Sequence, residues 1–263
     1  MSSRGGETVT CEQTPTRMSA ADLRAIERLH VRAWPALETA DVHGWLWRYS
    51  GGGSQRANSV STVRFCGDDP VAALDEVEAR YRARGAVARF HTFDLTAPPG
   101  LTGLLQARGY VEGETTITMA KPATAREPPA DVSVTDRADA QWREVYLAAV
   151  TESRRAINAK ILDAVPRPCA WLACRRGGQV ISSGLCVVDG AFAVVECMAT
   201  RGEARRQGGA DAVLAGIEAW AVAHGVRTLA LQVVAANAPA LALYRGFGFA
   251  PVATNRFWIG TAA

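Results

Sequence analysis

Between Ala191 and Gly225 the chain reads as a short apolar run, a polar glycine-bearing loop and a helix, and this succession limits the possible folds more than any other stretch. Residues 191–200 (A-F-A-V-V-E-C-M-A-T) have the pattern of a buried strand. The loop 201–209 follows. Apolar residues then recur at Ala210, Val213, Leu214, Ile217, Trp220 and Ala221, the i, i+3, i+4 spacing of one buried helix face, and Gly225 ends the helix. A strand that enters a helix through a glycine turn aims several backbone N–H groups at one point and adds the positive end of the helix dipole. The segment is therefore expected to cradle an anion such as a phosphate. Two well-known phosphate loops, G-x-G-x-x-G and G-x-x-x-x-G-K-[ST], are both absent here.

What stands there instead is Arg205-x-x-Gly208-x-Ala210. It is followed by an expected strand over 228–234, by Asn237, by Tyr244 on a helix and by Gly248-Phe249. In this order, over roughly 131–260, the residues resemble the GNAT superfamily of N-acetyltransferases, whose acetyl-CoA pyrophosphate loop reads R/Q-x-x-G-x-G/A. Gly44–Gly52 (G-W-L-W-R-Y-S-G-G), Arg56–Val60 (R-A-N-S-V), Met198-Ala199-Thr200 and Leu231-Gln232-Val233 resemble a bacterial two-domain group of that superfamily. The chain departs from the group at Gly202, where proline is usual. It also ends in Asn255-Arg256-Phe257-Trp258 rather than a tyrosine-rich strand, which leaves the acceptor-side wall open.

The resemblance implies an α/β (α+β) fold of two GNAT-like domains, each a mixed, largely antiparallel sheet flanked by helices, the N-terminal one degenerate. The expected division is a disordered tail 1–17, a degenerate domain 18–121, a proline-bearing linker 122–130 and a catalytic domain 131–263. The halves share an order of strand, loop, helix ending in glycine, strand, short helix, Gly-aromatic and strand. Counting back from Gly85 and Gly225, Asp68 and Asp69 fall where Gly208 and Gly209 stand, and carboxylates there would repel a pyrophosphate. Counting back from Gly109 and Gly248, Leu105 falls where Tyr244 stands and Pro98 where Asn237 stands. Local signals add a helix capped by Ser19 and Asp22, strands at 44–49 and 56–65, a helix capped at Asp69-Pro70, and a final strand at 256–260.

The implied chemistry is acetyl transfer from acetyl-CoA to a primary amine of a small molecule or peptide, by direct attack in a ternary complex. The backbone of Arg206, Gln207, Gly208, Gly209 and Ala210 would hold the pyrophosphate, with Arg205 and Arg206 adding charge. The edge Met198, Ala199, Thr200 would pair with the pantetheine amides. Asn237 would bond the same arm, cap a helix, or do both. Tyr244, protonated at neutral pH, would donate to the departing thiolate. Glu196, or a water it holds, would take the amine's proton, with Glu152, Asp163 and Glu203 as weaker rivals. Strand alternation would turn Cys197 away from Glu196, which argues against a cysteine acyl intermediate. Trp142, Tyr146 and Trp45 either line an acceptor pocket or fill the core. No role falls to the four histidines.

Composition bounds the remaining classes. The net charge of +3 is spread over scattered arginines, against the dense basic stripe of a nucleic-acid binder. No apolar run is long enough to span a bilayer, and the N-terminus lacks a signal-peptide core. Cysteines 11, 66, 169, 174, 186 and 197 form neither C-x-x-C nor a zinc spacing, which points to a reduced, cytoplasmic setting without a structural metal. A homodimer stays open. The alternative reading is a non-catalytic acyl-CoA-binding or regulatory protein on the same fold.

Overall fold

The computed structural model describes residues 18–261; the expected tail 1–17 and Cys11 lie outside the described residues. The first stretch runs α1 (Ala20–Ala33), β1 (Glu38–Val42), β2 (Trp45–Tyr49), β3 (Val60–Ser61), α2 (Pro70–Arg82), β4 (Arg89–Phe93), α3 (Leu101–Ala107) and β5 (Val111–Pro122). The second runs β6 (Val132–Thr135), α4 (Ala140–Ala148), α5 (Glu152–Asp163), β7 (Cys169–Arg176), β8 (Gln179–Asp189), β9 (Phe192–Thr200), α6 (Gly209–Ala223), β10 (Thr228–Val234), α7 (Ala238–Gly246) and β11 (Ala250–Ile259). The expected caps form: Ser19 Oγ accepts from Asp22 N–H, and Asp69 Oδ1 accepts from Val71 and Ala72 N–H.

All the strands join one sheet of order β1-β2-β3-β4-β11-β5-β10-β9-β8-β7-β6. Only β3–β4 and β9–β10 are parallel. The mixed, largely antiparallel sheet flanked by helices agrees with expectation. What no local pattern showed is a reciprocal exchange. β5 lies between β10 and β11, while β11 lies between β4 and β5. The last strand of each stretch thus completes the sheet of the other.

Alternation along the strands sorts the helices into two layers. Met119 points to the cluster packed by α6 and α7, with Ile217, Leu241 and Phe249. Its neighbours Thr118 and Ala120 point to the opposite face, covered by α1, α4 and α5. Asn255 meets Thr118 on that second face, so Trp258, which is out of phase with it, joins α2 and α3 on the first. The second face of the β1–β4 end therefore has α1 and the end of α5 beside it.

Two expectations need correction. Residues 56–65 were expected as one strand but form a 3₁₀ turn at Arg56–Asn58 followed by the two-residue β3. Asn58 is the cause: its Oδ1 accepts from the N–H groups of Ser50 and Gly52, and its Nδ2 donates to the carbonyls of Gly52 and Ser54, so the chain is fastened to a turn instead of a ladder. The final strand starts at Ala250, not at Arg256, because β4 and β5 are both available to it.

Candidate functional site

The β9–β10 ladder runs from Phe192–Thr228 to Val195–Leu231 and stops. Beyond it Ala199 and Thr200 pair only with β8, and Gln232, Val233 and Val234 only with β5. The sheet is therefore open between Glu196–Thr200 and Gln232–Val234. At the same level β9 carries a bulge. Glu196 faces Leu185 and Ala199 faces Ser183, so Cys197 and Met198 share the single partner Gly184, and Cys197 takes φ +55°. Gly184 has no room for a side chain: a Cβ there would meet Val213 Cγ1 at 2.6 Å and Met198 Sδ at 2.8 Å.

The bulge overturns the alternation argument for Cys197. The bulged residue stays on the face of Glu196, in the cluster under α1 and α4, while Met198 swings to the α6 side. The thiol is still a poor nucleophile, for a different reason. Burial, then the charge of Glu196, holds it well above its ordinary pKa, so it remains protonated.

The loop after β9 ends in a glycine turn into a helix, the candidate anion cradle of the sequence reading. Arg206 (φ +61°) and Gly208 (φ +77°) turn the chain into α6, which begins at Gly209. Among the described residues, no N–H from Arg206 to Asp211 donates to an acceptor of the chain. Arg176 Nη1 steadies the loop by donating to the Gln207 carbonyl at 2.6 Å. Gly209 is required by close packing: a Cβ there would lie 2.6 Å from Ser182 Oγ, which is itself hydrogen-bonded to Thr200 Oγ1 at 2.8 Å. Arg205 and Arg206 are exposed and, among the described residues, unpaired.

The start of α2 shows the opposite chemistry. Pro70 has no N–H to offer, and Asp69 consumes the next two. Cap for cap, Asp69 matches Gly208, one position from the sequence count.

Tyr244 on α7 is nearly buried beside Leu241 and Phe249, and its hydroxyl has no hydrogen-bond partner among the described residues. Burial, with a smaller push from Glu196, raises its pKa to about 12. Asn237 caps α7, its Oδ1 accepting from Ala240 N–H at 3.2 Å, and it is exposed.

Glu196 is 5% exposed and gripped by two residues of the first stretch. Arg56 donates to Oε1 at 2.8 Å and to Oε2 at 2.6 Å, and His30 Nδ1 lies 3.1 Å from Oε1. Burial alone would raise the carboxyl pKa. The Arg56 charge and the hydrogen bonds from Arg56 and His30 outweigh it and bring the carboxyl down to about 2. Sequence reasoning gave His30 no role and saw Arg56 only inside R-A-N-S-V. The available signal was that motif, a polar residue type repeated from the group it resembles. The side chains that share the Glu196 face continue across the sheet as Gln232, Thr118 and Asn255, with Glu27 of α1 accepting from both Gln232 and Thr118.

The other candidates separate cleanly. Glu152, Asp163 and Glu203 are exposed and away from this row, and Asp163 is engaged by Arg143. Trp142 and Trp45 are core residues, their indole N–H groups donating to backbone carbonyls. Tyr146 sits against Cys197. Among the described residues no group of three or more His, Cys, Asp or Glu side chains could hold a metal ion, and no helix is long and apolar enough to cross a membrane.

A family model described as "Probable histone acetyltransferase Rv0428c C-terminal" matches residues 20–258. The uncharacterised N-acetyltransferase YobR of Bacillus subtilis is 26% identical over 251 residues, covering 90% of this chain and 98% of its own. A GCN5-related N-acetyltransferase from Kribbella flavida superposes with a TM-score of 0.66 at 17% identity, over 91% of this chain and 96% of its own. A tandem GNAT protein from the clavulanic acid biosynthesis pathway superposes with a TM-score of 0.62 at 13% identity, over 94% of this chain and 98% of its own.

Proposed function

This chain belongs to the family of the Rv0428c C-terminal acetyltransferase model and is an N-acetyltransferase of the GNAT superfamily; on that premise we propose that it moves an acetyl group from acetyl-CoA to a primary amine by direct attack in a ternary complex. The observation that carries the reading is the coincidence of three features at one end of β9: unpartnered N–H groups from 206 to 211, an open sheet beside a bulge, and a tyrosine whose ring is buried and whose hydroxyl has no partner among the described residues. The diphosphate fits the cradle, since free amides and a helix start suit an anion of that size. The pantetheine arm suits the strand edge Met198–Thr200, with Asn237 at its rim. Acetyl-CoA supplies the activated acyl group.

In this mechanism Arg205 and Arg206 add positive charge around the diphosphate, and a main-chain N–H at the bulge polarises the thioester carbonyl. The amine nitrogen forms a bond to the acetyl carbon as the carbon–sulfur bond breaks, and the proton lost by nitrogen balances the one gained by sulfur. Tyr244 donates to the departing sulfur. Arg56 and His30 hold the Glu196 carboxyl down to about 2, so it does not keep the amine's proton; it orients a water through which that proton passes to solvent, and Tyr244 regains from solvent the proton it gives to sulfur. Catalysis resides in the half from 131 onward, and the first stretch contributes the grip of Arg56 and His30 on Glu196.

Release of CoA thiol from acetyl-CoA across a panel of amines tests the reading. Turnover of at least one amine is expected. Binding of acetyl-CoA without thiol release from any of them would favour a non-catalytic acyl-CoA-binding protein. Gly209→Ala is expected to push the first turn of α6 off Ser182 and weaken acetyl-CoA binding about tenfold, read by calorimetry, with global stability lowered by about 1–3 kcal/mol. Affinity equal to wild type would remove the cradle from the binding site.

A further inference from the structure

The face of the β1–β4 end that lacks helices of its own borders an open cavity of about 800 Å³, and its charge is unbalanced. Five arginines line it: Arg24, Arg28 and Arg32 of α1, Arg48 of β2, and Arg64, against one carboxylate, Asp41. Arg32 is occupied by Asp189 and by the Arg167 carbonyl, and Arg64 reaches Asp41 only at 3.5 Å. Arg24 and Arg28 have no carboxylate partner among the described residues.

Arg48 is the unusual member. It is 2% exposed, Nη2 donates to the Trp34 carbonyl, and Nε is buried without a partner among the described residues. A buried cation without a counter-ion is costly. Burial, then Arg56, pulls its pKa down to about 9. A chain keeps such a group only where something compensates it, and the cavity is where an anion could enter.

The cavity lies beside the reaction centre, and packed side chains separate the two: Phe257 is 1% exposed, and Asn255 and Thr118 are fully buried. Leu46, one strand residue before Trp47 and Arg48, pairs with Ser61; Ser61 pairs with His91; and His91 stacks on Phe257 at 4.5 Å, on the same face as Asn255, Thr118, Gln232 and Glu196. Arg48 is near enough to Glu196 and Arg56 for their charges to act on it.

We propose that this cavity is a binding site for a carboxylate or phosphate anion, distinct from the turn at 206–211, with Arg48 as the buried counter-charge and Arg24 and Arg28 at the mouth. Guanidinium groups suit either oxyanion because their forked donors match both geometries.

The test uses the full chain saturated with CoA, so that the cradle at 206–211 is filled. Titration with succinate and with inorganic phosphate is expected to show binding of at least one. Both Arg48→Gln and the surface double variant Arg24→Gln/Arg28→Gln should weaken it about tenfold or more, the loss of about 1.4 kcal/mol or more. The double variant keeps the test decisive if Arg48→Gln does not fold. Absence of any binding, or binding indifferent to the double variant, overturns the site. The relative affinities separate the two oxyanions: tighter binding of succinate than of phosphate assigns a carboxylate site, and the reverse a phosphate site. No thiol release from any amine, with the anion titration intact, would sink the enzymatic reading and leave the anion site standing.

Discussion

Arg56→Ala is expected to lower the stability of the whole chain by about 3–5 kcal/mol, because it leaves the Glu196 carboxylate buried without its main partner. For a domain of this size that corresponds to a fall in Tm of about 10 °C. The loss should be recovered in large part by Glu196→Gln on the same background, since removing the orphaned charge removes most of the penalty. Thermal unfolding of the two single variants and the double variant measures the coupling, and an Arg56→Ala protein within about 1 kcal/mol of wild type would show that the pair does not hold the two stretches together. The acid response follows from the same shift. Glu196 has a folded pKa near 2, below its ordinary value of 4.5, so its stabilisation is present above pH 4.5 and lost as pH falls toward 2. Wild type should lose about 3 kcal/mol over that window from this group, and Arg56→Ala much less.

Tyr244→Phe is expected to reduce kcat by about a hundredfold while leaving the Kd for acetyl-CoA near wild type. The hydroxyl has no hydrogen-bond partner among the described residues, so its removal breaks no hydrogen bond within the resting protein, and stability should change by less than about 1 kcal/mol. That separation of rate from binding and stability distinguishes a group acting on the departing sulfur from a tyrosine that only fills the core. An unchanged kcat would take Tyr244 out of the mechanism. A pKa raised to about 12 also predicts that activity does not fall through loss of the Tyr244 proton at any pH below about 11.

Much of the candidate site's local geometry was legible because it is set by neighbouring residues. The cradle needs only Gly208 where φ is positive, Gly209 where the helix meets Ser182, and consecutive N–H groups, and these lie within a few residues of one another. The cap at Asp69 and the contrast between α2 and α6 were readable for the same reason, within one position. The bulge at Cys197 was not readable, since alternation is the default for a strand and the extra residue is set by what β8 offers opposite it, the bare Gly184. Nor was the turn at 56–58, where one asparagine side chain displaces a strand.

The amino-acid order by itself determined most of the element types, the GNAT resemblance and the glycine turn into α6, because periodicity, capping and glycine conformation act over a few residues. Only the tertiary structure decided that β5 and β11 exchange places, that Arg56 and His30 close on Glu196 from 140 and 166 residues away, and that an arginine-lined cavity opens beside α1. Those features depend on which distant segments share a sheet face, and a charge buried by such a meeting carries no mark in its own neighbourhood of the chain.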